Sequence, residues 1–134
     1  MTEPIRIRLA RTSDVGAIKT LVAPLADQRI LMAKETVAYY ESLQEFRIAE
    51  SPDGEVIGCG ALHVMWEDLA EVRTLAASDA WRGKGVGHLL VERLLEDARA
   101  LGVSRVFCLT FEVEFFKKHG FEVMADQTAV DPVV

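Results

Sequence analysis

The segment Trp81-Arg82-Gly83-Lys84-Gly85-Val86-Gly87-His88 sets three glycines between an apolar run and the longest helical pattern in the chain. Val86, Leu90, Leu94, Ala98 and Leu101 form one apolar stripe, so a helix is predicted from about 86 to 101, with Gly102 as its C-cap. A strand is predicted before the loop, from about Leu69 to Ala77. Closely spaced glycines let the backbone turn tightly and bring N–H groups up to a ligand. The helix that follows directs its free N–H groups and the positive end of its dipole at the same point. Such a unit is an anion site that needs no net basic charge, and Arg82 and Lys84 add charge locally.

The rest of the chain supplies a sheet and further helices. Ile5 to Leu9 alternates apolar and polar and reads as a strand. Thr12-Ser13-Asp14 offers helix-capping side chains, and Val15, Ile18, Leu21, Val22 and Leu25 recur at helical spacing, with Pro24 expected to kink or end that helix. A second helix is predicted from Lys34 to Leu43, with Val37, Tyr40 and Leu43 on one face. Two strands follow, Phe46 to Ala49 and Val56 to Trp66, joined by Ser51-Pro52-Asp53-Gly54 as a hairpin turn. After the long helix come a strand at Val106 to Leu109, a short helix at about 113 to 119, and the start of a last strand at Phe121 to Met124.

Composition narrows the classes. At 134 residues, half of them hydrophobic, one domain with its own core is expected. A net charge of −6 argues against nucleic acid as a partner, because phosphate-backbone binding needs massed Lys and Arg. No apolar run approaches the roughly 18 residues of a membrane span, and the first residues show no secretion signal, so a cytoplasmic protein is expected. Cys59 and Cys108 sit in predicted strands as small core residues, and the scattered His63, His88 and His119 lack metal-site spacing, so no metal is expected.

The loop fits neither common nucleotide pattern. No Ser or Thr follows its Gly-Lys pair, as the Walker loop requires, and His88 stands where the dinucleotide fingerprint needs a third glycine. Arg-x-x-Gly-x-Gly does match Arg82, Gly85 and Gly87; the plain alternative is a Gly-rich connector with no ligand. In the preceding strand, alternation puts Glu71 and Arg73 on one face and Val72 and Thr74 on the other. Two charges on an interior strand must be paired with each other or at work, so Glu71 reads either as an ion-pair partner of Arg73 or as a base.

The stretch from Ala70 through Gly87 resembles the coenzyme A-binding core of GNAT acetyltransferases, and the order of elements from about 5 to 124 matches theirs. The resemblance implies an α/β (α+β) fold with a mixed, mostly antiparallel, twisted sheet and helices on both faces. The strands flanking the long helix would run parallel and splay apart. It implies acetyl-CoA as cosubstrate, its pyrophosphate held by Arg82, Gly83, Lys84, Gly85, Val86, Gly87 and His88. Its pantetheine would lie along a bulged strand at Leu75, Ala76 and Ala77. Some members carry a catalytic Glu at the place of Glu71. Many use a Tyr in the late helix to protonate the leaving thiolate; the matching residue here is Phe116, separated from Gly120-Phe121 by three residues, and it has no proton to give. Solvent, or Tyr39 or Tyr40, would take that role.

Pro24 to Lys34, Gly60-Ala61-Leu62, Ala70 to Arg73 and Leu109 to Phe116 resemble N-acetylglutamate synthases more closely. This implies an amino-acid acceptor, glutamate first, in the service of arginine biosynthesis. Lys34 and Arg73, with Arg29 behind them, would hold its carboxylates; the other reading of Lys34 is a solvated first-turn helix residue. A homodimer is an allowed assembly. Two departures stand out: the amino-acid-kinase domain of the long synthases is missing, and only 134 − 121 = 13 residues follow Phe121, with no Arg or Lys from Thr128 to Val134. The expected consequence is a missing C-terminal strand, a site completed by further chain or a partner, or a different acceptor. The rival functions are acetylation of another small amine or a protein amine, and a non-catalytic CoA-binding sensor.

Overall fold

The structure is a computed structural model that describes residues 5–27, 36–110 and 112–124. The strands are β1 (Arg6–Leu9), β2 (Phe46–Glu50), β3 (Val56–Trp66), β4 (Leu69–Ala77) and β5 (Val106–Phe107); the helices are α1 (Val15–Asp27), α2 (Thr36–Glu41), α3 (Val86–Leu101) and α4 (Val113–Lys117). The strands lie side by side in the order β1-β2-β3-β4-β5. The first four pair antiparallel, and β4 and β5 pair parallel across α3, as a strand–helix–strand crossover requires.

Helices cover both faces. On one, Val15, Ile18 and Val22 of α1 pack with Tyr39 and Leu43 onto Phe46, Ile48, Cys59, Ala61 and Ala76. On the other, Val91, Leu94 and Ala98 of α3 and Phe116 of α4 cover Leu62, Ala70 and Val72. Leu90 and Leu94 are fully buried, and each such side chain contributes about 1.5–3 kcal/mol. At the entrance to α1, the guanidinium of Arg8 grips the buried carboxylate of Asp14 through two bonds of 2.8 and 3.0 Å.

The structure departs from the sequence expectations at several places, beginning with α2 and α4, which end at Glu41 and Lys117 rather than at Leu43 and about 119. Pro24 lies inside α1 without ending it, and the helix forgoes the one backbone bond that an N–H at that position would donate. In α2 the buried tyrosine is Tyr39, while Val37 and Tyr40 are exposed, because a six-residue helix gives periodicity too few turns to decide a face. Leu101 continues the stripe of α3 by position yet is exposed, at the last turn before the left-handed Gly102 cap. β5 stops at Phe107 rather than Leu109, and residues 121–124 form no strand. None of the described helices is long and apolar enough to cross a membrane.

Candidate active site

The sheet opens between β4 and β5. The two strands pair only at Ala70↔Val106 and Glu71↔Phe107. β4 then continues to Ala77, and its outer edge from Val72 onward has no strand partner among the described residues. Unpaired backbone N–H and C=O groups demand partners, so this edge offers a ladder to an extended ligand. Opposite Gly60 of β3, β4 carries two residues, Thr74 and Leu75, between the pairs Ala61↔Arg73 and Cys59↔Ala76. Thr74 has φ of +53°, a left-handed conformation that is rare for a β-branched residue. Such a bulge re-aims backbone groups on the unpaired stretch just beyond the parting, and held backbone strain of this kind clusters at functional sites.

The glycine loop closes the same end. Gly83 and Gly85 have φ of +79° and +84°, which only glycine adopts without strain, and a Cβ on either would meet open space. Gly85 is the N-cap of α3, no side chain caps the helix, and the first backbone bond there runs from Leu89 N–H to Gly85 O at 3.1 Å. The N–H groups of the first turn are therefore left to face the loop, with the helix dipole behind them. Lys84 sits over the Trp81 ring, 5.5 Å from its centroid, while Arg82 is an exposed partner of Asp79. These residues fit an anion of the pyrophosphate type. Gly87 serves packing instead, since a Cβ there would come within 3.1 Å of the Phe115 ring, and its small size lets α4 close on α3.

Glu71 is buried, and Arg73 Nε donates to its Oε1 at 2.7 Å. Both lie on the α1 side of the sheet, Arg73 in the pair next to the bulge and Glu71 two pairs further along. His63 is directly opposite Glu71 in the register, and its Nδ1 is 3.0 Å from Oε2 of Glu45. Cys108 follows β5 within electrostatic reach of Glu71; burial, then that charge, pushes its thiol up to about 11, so it stays protonated.

A second polar group lies where α3 meets α4. His88 Nδ1 is 2.7 Å from His119 Nε2, and His119 Nδ1 hydrogen-bonds the Glu92 carboxylate. The carboxylate must accept from His119 Nδ1–H, so neutral His119 presents Nε2 as acceptor and His88 Nδ1–H donates to it. Burial first, then His119 and Lys118, holds His88 below the ordinary histidine range, against the opposing pull of Glu92. Phe115 stacks 4.5 Å from His88, and Phe116 is buried in the core beside it.

One strand, β4, carries Glu71, Arg73 and then Leu75-Ala76-Ala77, and the loop from Arg82 to His88 follows beyond its end. The side chain of His88 turns to His119 and Phe115 rather than into the loop. Lys34 and Arg29 lie outside the described residues. Tyr39 belongs to the core, where burial raises its hydroxyl. Sequence reasoning missed His63 with Glu45 and the His88–His119–Glu92 chain, because these contacts join residues 18, 31 and 27 positions apart. The left-handed Thr74 had no local signal at all. Among the described residues no group of three His, Cys, Asp or Glu side chains gathers to hold a metal.

Residues 23–121 match the model of the Acetyltransferase (GNAT) family. An amino-acid acetyltransferase of Mycobacterium tuberculosis is 57% identical over 117 residues, which is 86% of this chain and 67% of that protein. The amino-acid acetyltransferase of Shewanella oneidensis is 37% identical over 120 residues, 88% of this chain but 27% of the relative, so the chain spans about a quarter of that longer protein. A crystal structure from Mycobacterium tuberculosis in complex with CoA and NLQ superposes with a TM-score of 0.83 at 52% identity, covering 93% of this chain and 78% of that one. N-acetylglutamate synthase from Neisseria gonorrhoeae, complexed with coenzyme A and N-acetyl-glutamate, gives a TM-score of 0.88 at 30% identity over 98% of this chain and 31% of that one.

Proposed function

The chain belongs to the acetyltransferase (GNAT) family, and from that premise we propose that it transfers an acetyl group from acetyl-CoA to the α-amino group of an amino acid, L-glutamate first. The observation that carries this reading is the parting of β4 from β5 beside the free N-terminus of α3. An unpaired strand edge can take the amide-bearing pantetheine arm as a substitute strand, and the helix end can take its pyrophosphate. The names of the relatives support an amino acid as acceptor. Synthesis of N-acetylglutamate for arginine biosynthesis, in the cytoplasm, is the role this reading assigns.

The chemistry follows from the residues at the opening. An amino acid arrives with its amine protonated, so a base must free the lone pair. Glu71 takes that proton. Its bond to Arg73 fixes the carboxylate in place and leaves its second oxygen to face the amine. Backbone N–H groups at the Thr74–Leu75 bulge receive the negative charge that develops on the thioester oxygen, a role that the left-handed Thr74 supports. Phe116 has no proton to give and Cys108 holds its own, so solvent protonates the departing thiolate. Lys34 and Arg73, with Arg29 behind them, supply the cationic donors for the acceptor's carboxylates.

A panel of amino acids, assayed by thiol release from acetyl-CoA, tests the reading. Turnover with glutamate and not with other amino acids, polyamines or peptides is the expected result. The buried Phe116 at the usual acid position favours one rival, a sensor that binds CoA without turnover. Tight CoA binding with no thiol release from any amine would establish that rival in place of the enzyme.

A further inference from the structure

We infer that His63, oriented by Glu45, is the exit through which Glu71 passes its proton to solvent; this rests on the proposed acetyl transfer and names a residue that reading does not use. The proton balance requires an exit. The acceptor nitrogen enters with three protons and leaves as an amide with one. Of the two released, one ends on the coenzyme sulfur as the free thiol, so each turnover delivers one net proton to water. Glu71 receives it while 9% exposed and tied to Arg73, with little water of its own.

His63 is placed for the next step. It is the register partner of Glu71 on β3, and directly opposed residues hold their Cβ atoms about 4.5–5.5 Å apart on the same face. Its side chain is 32% exposed, so it touches both the interior and solvent. Its Nδ1 is 3.0 and 3.1 Å from the two oxygens of Glu45, which accept from Nδ1–H and so leave Nε2 as the free base. The charged groups that face it are Glu45, from the turn before β2, and Glu71 with Arg73 on β4. A proton passed to Nε2 makes an imidazolium beside the Glu45 carboxylate, from which water removes it. The O–H bond at Glu71 breaks, the N–H bond at Nε2 forms, and no oxidant or further reactant enters.

Two variants test this in weakly buffered solution with the acceptor found in the amino-acid panel. His63→Gln keeps a donor for Glu45 but cannot carry a proton; kcat should fall on the order of 10²-fold, the low end of the cost of losing a proton-transfer group, with both KM values unchanged. His63→Ala should fall similarly and recover as imidazole is added, while the wild type does not respond. A structural role alone would give no imidazole rescue. A His63→Gln kcat within about twofold of wild type overturns the relay, as does a His63→Ala loss that imidazole leaves untouched. A wild type that acetylates no amino acid removes the functional reading and the relay with it; an active wild type with an unaffected His63→Gln removes the relay alone.

Discussion

Gly58 of β3 sits beneath the first residue of α3, and Gly58→Ala should push the helix end out of place. A Cβ built there lies 2.6 Å from Cγ1 of Val86, 3.1 Å from Cδ1 of Leu90 and 3.3 Å from the carbonyl of Ala76. Carbon atoms pack best about 3.5–4.0 Å apart, so Val86 must retreat by roughly 1 Å. Val86 is 2% exposed, and a valine in a helix has one strongly preferred rotamer, so the methyl cannot simply swing aside. The start of α3 moves instead, and with it the N–H groups beside Gly85. Overpacking of this kind costs about 1–3 kcal/mol of stability. A displacement near 1 Å at a binding or reacting group costs up to about 10²-fold. Urea unfolding should show the first loss and calorimetry with CoA the second. Val86→Ala removes the clashing methyl, so the double variant Gly58→Ala/Val86→Ala should be more stable than the two single losses predict, by about 0.5–3 kcal/mol of coupling. Strict additivity, or a Gly58→Ala protein that unfolds and binds CoA like wild type, would refute the idea that this contact seats the helix end.

Three further outcomes are expected. Glu71→Gln keeps an acceptor for Arg73 but loses the base, so kcat should drop roughly 10²–10⁴-fold with CoA affinity nearly unchanged; a near wild-type kcat from pH 6 to 9 would return Glu71 to the role of an ion-pair partner. Gly85→Asp forces a side chain into a left-handed position at about 1–2 kcal/mol and sets a carboxylate at the anion site, so CoA binding should vanish while the fold persists; equal calorimetric binding would end the pyrophosphate assignment. The Arg8 guanidinium, and after it the Arg11 N–H, hold the Asp14 carboxyl below the usual 3.8, so its contribution is present above that pH and fades as pH falls below it; Asp14→Asn should be less stable at pH 7 and lose less stability between pH 5 and 2, and parallel curves for the two proteins would contradict this.

Much of the fold was written locally in the chain. β3, β4 and α3 fall where residue patterns put them, because each is long enough for its period of two or 3.6 to repeat. The glycine loop was legible for a related reason: closely spaced glycines between a strand and a helix mark a tight turn, and the structure then put Gly83 and Gly85, though not Gly87, in the left-handed region. Glu71 and Arg73 could be placed on one strand face by alternation, although alternation could not say whether they touch; the 2.7 Å bond between them is a tertiary fact. The same local patterns did not decide short elements. Tyr39 rather than Tyr40 entered the core, β5 paired for two residues, and residues 121–124 formed no strand, since packing outweighs propensity when few turns or pairs are at stake.

The composition and spacing of residues placed a glycine loop between a strand and a long helix, a unit suited to an anion, with a candidate base two strand positions away from an arginine. The resemblance implied a bulged strand splayed from its neighbour; only the tertiary structure put the parting after Glu71 and the bulge at Thr74 and Leu75, and decided that Gly58 and Gly87 are small to admit Val86 and Phe115 and that His63 is opposite Glu71 with Glu45 bound to it. The division has one physical cause. Helix and strand periods, caps and turns act over a few neighbouring residues, whereas register, close approach and proton paths join residues far apart in the chain, and those distances are set when the sheet and helices pack.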